Sequence, residues 1–126
     1  MNVEQNKLKV LIVEDEFFIA LDAEEQVRSL GHTVVGTAVS AEQAIQIAGE
    51  AQPDVVLMDI RLVGPVDGIA AALEIRSRYG IEAIFVTANT DPSTLARAES
   101  IRPVAVLQKP LTKARLAPQL ARLSEK

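Results

Sequence analysis

Short apolar runs that each lead into a chemically active side chain do most to limit what this chain can become. Val55-Val56-Leu57-Met58, entered through Pro53-Asp54, ends in Asp59. Leu8-Lys9-Val10-Leu11-Ile12-Val13 ends in Glu14-Asp15-Glu16, Ala83-Ile84-Phe85-Val86 in Thr87, and Val104-Ala105-Val106-Leu107 leads to Lys109-Pro110. Runs this short, rich in β-branched residues and bounded by turn formers, are the signature of buried strands. Amphipathic stretches lie between them, which is the pattern of repeated βα units on a parallel sheet. The carboxyl ends of such strands share one edge, where ligands bind at the switch in strand order. Acids, a hydroxyl and an amine would therefore meet in one cleft.

The intervening segments carry helix signals. Ala20, Ala23, Val27 and Leu30 recur at helical spacing, and Gly31 stops that helix. Thr33 to Thr37 is a short second strand. Ser40 is placed to cap a helix with Glu42 and Gln43 in its first turn and Ala44, Ile45 and Ala48 inward. After Asp59 comes a loop, Arg61 to Val66, then a helix opened by Asp67 with Ile69, Ala72 and Leu73 as its buried stripe. Asp91-Pro92 reads as cap and first residue of a short helix. Thr112 caps a last one bearing Leu116, Leu120 and Leu123. Pro118 inside it removes a hydrogen bond, so this helix is expected to be short, bent or restarted there. The expectation is one domain over residues 1–126 with five strands and five helices, and polar tails at 1–7 and 124–126.

Composition narrows the function. At 126 residues and 48% hydrophobic the chain can bury a real core. A net charge of −4 argues against a nucleic-acid-binding face. No run approaches the roughly 18 apolar residues of a membrane span, and Met1 is followed by polar residues, so a cytoplasmic location is expected. With no cysteine and one histidine there is no disulfide framework, thiol nucleophile or multi-histidine metal site. His32 reads as a polar residue in the turn after the first helix. No phosphate-cradling glycine loop follows the first strand; acid stands there instead.

Glu14, Asp15 and Asp59 are the strongest chemical signal. Like charges held within about 4 to 5 Å repel by several kcal/mol at an effective dielectric near 20, so such a cluster calls for a counter-charge. Mg²⁺ (or Mn²⁺) fits, because it takes oxygen ligands and favours carboxylates together with a phosphate. Asp59 would then be a nucleophile forming an acyl phosphate, with Lys109 neutralising phosphoryl oxygens and Thr87 donating to one. Any one of these residues alone is more often a solvated strand-end group; the set carries the inference.

Together these residues resemble the receiver domain of bacterial two-component response regulators, over the chain from about Lys7 to Leu123. The resemblance implies a flavodoxin-like (βα)5 three-layer sandwich with a parallel sheet of order 2-1-3-4-5. It implies Asp59 as phosphoacceptor, Thr87 as switch hydroxyl and Lys109 as the phosphate-pairing lysine. It further implies metal binding by Asp15, Asp59 and the Arg61 backbone carbonyl, with Glu14 acting through water, and a cis bond before Pro110. Arg61, Ala88, Asn89 and Val106 match positions that modulate phosphoryl lifetime and coupling. The implied partners are a histidine kinase or histidine phosphotransfer protein and a downstream protein target on the α4-β5-α5 face, with no direct nucleic acid and no membrane. The implied state is a monomer or weak phosphorylation-dependent dimer. Such a protein is no enzyme beyond its own phosphorylation and dephosphorylation.

Departures from the family pattern are visible. The loop from Ile60 to Gly68 is one residue longer than the common form, and Val106 stands where an aromatic is usual. Phe85-Val86-Thr87-Ala88-Asn89 partly resembles a single-domain subgroup with phenylalanine two residues before the threonine, without that subgroup's glycine. Phe18 to Asp22 and Gly31 to Gly36 resemble receivers attached to stress-response anti-anti-sigma proteins. Met1 and the polar ending favour a stand-alone regulator of a phosphorelay; the alternatives are a fragment of a larger response regulator and a phosphorylation-independent adaptor. A phosphatase of the haloacid-dehalogenase type is disfavoured, because its second aspartate, two residues after the nucleophile, is here Arg61.

Overall fold

The computed structural model describes residues 7–88 and 91–125. The chain alternates β1 (Lys9–Val13), α1 (Phe17–Ser29), β2 (Thr33–Ala38), α2 (Ala41–Ala51), β3 (Val55–Asp59), α3 (Gly68–Tyr79), β4 (Glu82–Thr87), α4 (Pro92–Ser100), β5 (Ala105–Gln108) and α5 (Lys113–Ser124). All pairings are parallel and the strand order is β2-β1-β3-β4-β5, as expected for the flavodoxin-like receiver fold.

Strand periodicity divides the core into two. Successive side chains of a strand point to opposite faces. Leu11, Val13, Val56, Met58 and Phe85 accordingly join α2, α3 and Ala98 of α4 on one side. Val10, Ile12, Val55, Leu57 and Ile84 join Ala23 and Val27 of α1 and Leu116 and Leu120 of α5 on the other. Every residue of β3 is buried, because both of its faces are covered by helices. Removing one such side chain, as in Leu11→Ala, costs about 2–5 kcal/mol.

Each expected cap is made. Ser40 accepts from the Gln43 N–H, Asp67 from Ala70, Asp91 from Thr94 and Thr112 from Arg115. Asp91 is followed by Pro92 at the start of α4. His32 does more than fill a turn: it is buried, and its Nδ1 accepts the Leu8 N–H at 3.0 Å, linking the end of α1 to the start of β1.

Three expectations need correction. Leu73 is 45% exposed, and the buried face of α3 runs through Ile69, Ala71, Ala72 and Ile75. One step beyond Ala72 turns a residue about 100° around a helix, which carries Leu73 off that face. Pro118 does not interrupt α5, which runs unbroken from Lys113 to Ser124. Its ring lies on the exposed face, two residues from buried Leu116, and the carbonyl it deprives, that of Ala114, belongs to an exposed residue open to water. Ser124 is no tail residue: it is fully buried one stripe below Leu116 and Leu120, and its hydroxyl donates to the Ala121 carbonyl at 3.0 Å. Of the expected N-terminal tail, Lys7 is exposed and residues 1–6 lie outside the described residues, as does Lys126. Among the described residues no helix is long and apolar enough to cross a membrane.

Candidate phosphoacceptor site

Strand order places the site. The chain leaves β1 for β2 on one side and reaches β3 on the other, so the crevice opens between the carboxyl ends of β1 and β3. Val13 pairs with Met58, Asp59 with Val86, and Thr87 with Gln108. That register puts Glu14, Asp59, Thr87 and Lys109 each at, or one residue past, the end of its strand. The Lys109 N–H donates to the Thr87 carbonyl at 2.9 Å, which fixes the last strand end to its neighbour. The Lys109–Pro110 bond is cis, as the resemblance implied.

Lys109 is the centre of charge. Its Nζ lies 2.8 Å from Glu14 Oε1 and 3.4 Å from Asp59 Oδ2. The other oxygens are held by backbone: Asp59 Oδ1 accepts the Arg61 N–H at 3.2 Å, and Glu14 Oε2 accepts the Glu16 N–H at 3.1 Å. Glu14, Asp59 and Thr87 are 5%, 6% and 2% exposed, so this polar group is sunk into the sheet edge. Burial, and then the charge of Glu14, push the Asp59 carboxyl up to about 6, against the opposing pull of Lys109 and the Arg61 N–H. Burial alone would lower Lys109, but its bonds and charge contacts with Glu14 and Asp59 outweigh that and raise it.

Carboxylate oxygens of Glu14, Asp15 and Asp59 all lie within 4.8 Å of one another. One ammonium, in contact with two of these three acids, leaves room for a further cation. The donor set is all oxygen, which suits a hard divalent cation such as Mg²⁺.

Of the remaining candidate residues, three lie in or beside this group and one lies outside the described residues. Asp15, Glu16, Arg61 and Ala88 line, with Asp59, Thr87 and Lys109, a polar cleft of about 530 Å³. Val106 is half-buried, packs against the core under α4, and lines a separate groove of about 390 Å³ with Thr87 and Leu95. Asn89 lies outside the described residues.

Several contributors were not foreseen. The Glu16 N–H orients Glu14, a bond that no sequence spacing announces. Gly68 lies so close to the phosphoacceptor strand that a Cβ there would stand 2.0 Å from the Asp59 carbonyl oxygen. Beside the polar cleft is an apolar one of about 480 Å³ between α1 and the segment joining β5 to α5, walled by Phe18, Ile19, Pro110 and Leu111. The exposure of Phe17 and Phe18, 71% and 79%, had no signal in helical spacing beyond their lying ahead of the Ala20 stripe.

Comparison with known proteins agrees with this geometry. Residues 10–121 match the family described as the response regulator receiver domain. Among curated proteins, the chain is 35% identical over 112 residues to the transcriptional regulatory protein PdtaR of Mycobacterium tuberculosis, covering 89% of this chain and 54% of that one. It is 34% identical over 110 residues to the phyllosphere-induced regulator PhyR of Methylorubrum extorquens, covering 86% and 40%. The chain thus spans about half the length, or less, of these relatives. Among solved structures, the receiver domain of a modulated diguanylate cyclase from Desulfovibrio desulfuricans superposes with a TM-score of 0.88 at 32% identity, covering 94% of each chain. A variant of the anti-anti-sigma factor PhyR from Bartonella quintana gives 0.81 at 33% identity, covering 95% of this chain and 49% of that one. The likeness to receivers of anti-anti-sigma proteins, noted around Phe18 and His32, meets a relative of that description here. The chain belongs to the response regulator receiver domain family of two-component signalling.

Proposed function

We propose that this domain takes a phosphoryl group from the phosphohistidine of a histidine kinase or phosphotransfer protein onto Asp59, and that the modification switches a protein-binding face. The observation that carries the proposal is the buried carboxylate at the end of the central strand, β3, with both oxygens engaged. Arg61 N–H donates to one at 3.2 Å and Lys109 Nζ stands 3.4 Å from the other, beside two more acids. A carboxylate so fixed is oriented for in-line attack. An Asp59 oxygen bonds to phosphorus as the bond from phosphorus to the donor imidazole breaks, and the imidazole nitrogen keeps the electron pair. Lys109 can shift from Glu14 and Asp59 to the phosphoryl oxygens with little movement, and the Thr87 hydroxyl donates to one of them. Bound Mg²⁺, held by Asp15, Asp59 and the Arg61 carbonyl with Glu14 acting through water, would offset the charge of the carboxylates and phosphoryl oxygens.

The added group brings roughly −1.5 to −2 charge if it behaves like other protein phosphates. Drawing Thr87 and Lys109 inward biases the loops that follow them, and so the face made by α4, β5 and α5. Val106 has no ring to report the change, so coupling runs through the loop after Thr87 and through α4, which buries only Ala98.

The test is titration with beryllofluoride, a phosphoryl mimic, in Mg²⁺, followed by amide shifts. One-to-one binding with shifts spreading from Asp59 to residues 87–100 is expected. Turnover of general phosphomonoesters instead would favour a phosphatase, and no response would favour a phosphorylation-independent adaptor.

A further inference from the structure

Two segments at the carboxyl edge carry the proposed chemistry, one following Asp59 and one following Thr87. An ion pair ties them together. Arg97 of α4 places a guanidinium nitrogen 3.0 Å from Asp67 Oδ2. The other Asp67 oxygen accepts the Ala70 N–H at 2.9 Å and caps α3. Asp67 precedes Gly68, whose N–H donates to the Ile60 carbonyl at 2.8 Å and whose backbone lies directly against Asp59. Arg97 thus grips the point where the loop after Asp59 closes back on its own strand.

α4 is lightly held otherwise. It buries only Ala98, and elements with few apolar contacts are the ones that open most readily. A weaker charge effect runs the same way. The Asp91 carboxyl, which caps α4, is held below its usual range by hydrogen bonds from Ser93 and Thr94, and the Arg61 charge adds to this.

We infer that Arg97–Asp67 is a latch holding α4 in its resting position against the loop that follows Asp59. A change that draws Thr87 inward then has to strain or open it. The latch is a property of the unmodified protein; only its signalling consequence rests on Asp59 as phosphoacceptor.

Hydrogen exchange of the full chain tests it. Arg97→Ala removes one partner. Asp67→Asn removes the charge but keeps a good capping oxygen. At low ionic strength each should speed exchange of amides 95–100 about two- to fivefold, the range of an exposed ion pair, while α2 amides stay unchanged. The two changes together should do no more than either alone. In roughly 1 M salt, where the screening length falls to about 3 Å, the difference should shrink towards nothing. Unchanged exchange in α4, additive effects, or a difference indifferent to salt would each overturn the latch. With Mg²⁺ and beryllofluoride, both variants should bind about two- to fivefold more tightly than the native protein, the same factor. Equal affinity would remove the latch from signalling. A native protein that fails to bind beryllofluoride would refute Asp59 as phosphoacceptor, with the exchange result still deciding the latch.

Discussion

Gly68 is the residue at which a single methyl group should do the most damage to the site. A Cβ there would stand 2.0 Å from the Asp59 carbonyl oxygen and 2.9 Å from both the Asp59 carbonyl carbon and the Ile60 Cα. Those are backbone atoms of the strand that presents Asp59, so no side chain can swing aside. Gly68→Ala must push the loop off the strand. Forcing a methyl into a packed site costs about 1–3 kcal/mol. Displacement also threatens the bond from Gly68 N–H to the Ile60 carbonyl, worth about 1 kcal/mol. The total is of order 2–4 kcal/mol. Gly49→Ala is the control, because there the Cβ would meet the Tyr79 hydroxyl at 2.6 Å, the far end of a half-buried side chain that can move. Alanine also gains up to about 1 kcal/mol over glycine inside a helix, so Gly49→Ala should fall within about 1 kcal/mol of native. Urea unfolding separates the two. With a slope of about 2 kcal/mol per molar, Gly68→Ala should lower the midpoint by about 1–2 M and Gly49→Ala by less than about 0.5 M. Gly68→Ala should also weaken beryllofluoride binding under conditions where it is fully folded. A Gly68→Ala protein as stable as Gly49→Ala would refute the close approach of this loop to Asp59.

Burial lowers the pKa of His32 below its ordinary 6.5, and protonating Nδ1 would end its bond to the Leu8 N–H. The unfolded chain then binds more protons just below pH 6.5, so His32 costs the fold stability as pH falls from 6.5 towards the lowered value. His32→Asn, whose side-chain oxygen can still accept from Leu8, should lose less between pH 7 and 5 in urea titrations; parallel curves would refute this. Asp59, pushed up to about 6 from 3.8, burdens the metal-free fold once ionised by up to about 3 kcal/mol at 1.36 per pKa unit. Asp59→Asn should therefore be more stable than native at pH 7.5, the gain shrinking as pH falls from 6 to 3.8. Mg²⁺ should raise the melting temperature of the native protein more than that of Asp59→Asn; equal shifts would argue against metal binding at this carboxylate. Arg61 is an exposed residue on the wall of the cleft, and we propose that its cation pairs with the phosphoryl group and slows its hydrolysis. Arg61→Ala should shorten the half-life of the aspartyl phosphate, and an unchanged or longer one would sink that role.

Much of this was legible because strand runs, caps and strand-end chemistry are local properties. Val55 to Met58, ending in Asp59, reads as a buried strand from its length, β-branching and flanking turn formers, and Ser40, Asp67, Asp91 and Thr112 cap the helices that their positions announced. What local pattern does not contain is azimuth and reach. Leu73 sits among apolar residues, yet one helical step takes it out of the core. Pro118 breaks a local rule without ending α5, because only the fold decides that its ring faces solvent. The strand-end pattern brought Lys109 and Glu14 into one cleft, but Arg97 meets Asp67 across a stretch of chain that no single-sequence period connects. His32 joining Leu8 belongs to the same class, since its partner is a backbone N–H that every residue but proline offers.

Covalent mapping of the phosphoryl group tests the central claim most directly. Native protein is treated with acetyl phosphate, or with a phosphorylated histidine phosphotransfer protein, in Mg²⁺. The acyl phosphate is then trapped by borohydride reduction and located by peptide sequencing. The expected result is one modified residue, Asp59, with labelling abolished by EDTA and absent from Asp59→Asn. Label on another residue of the native protein, or an Asp59→Asn protein labelled as fully as native, would contradict it.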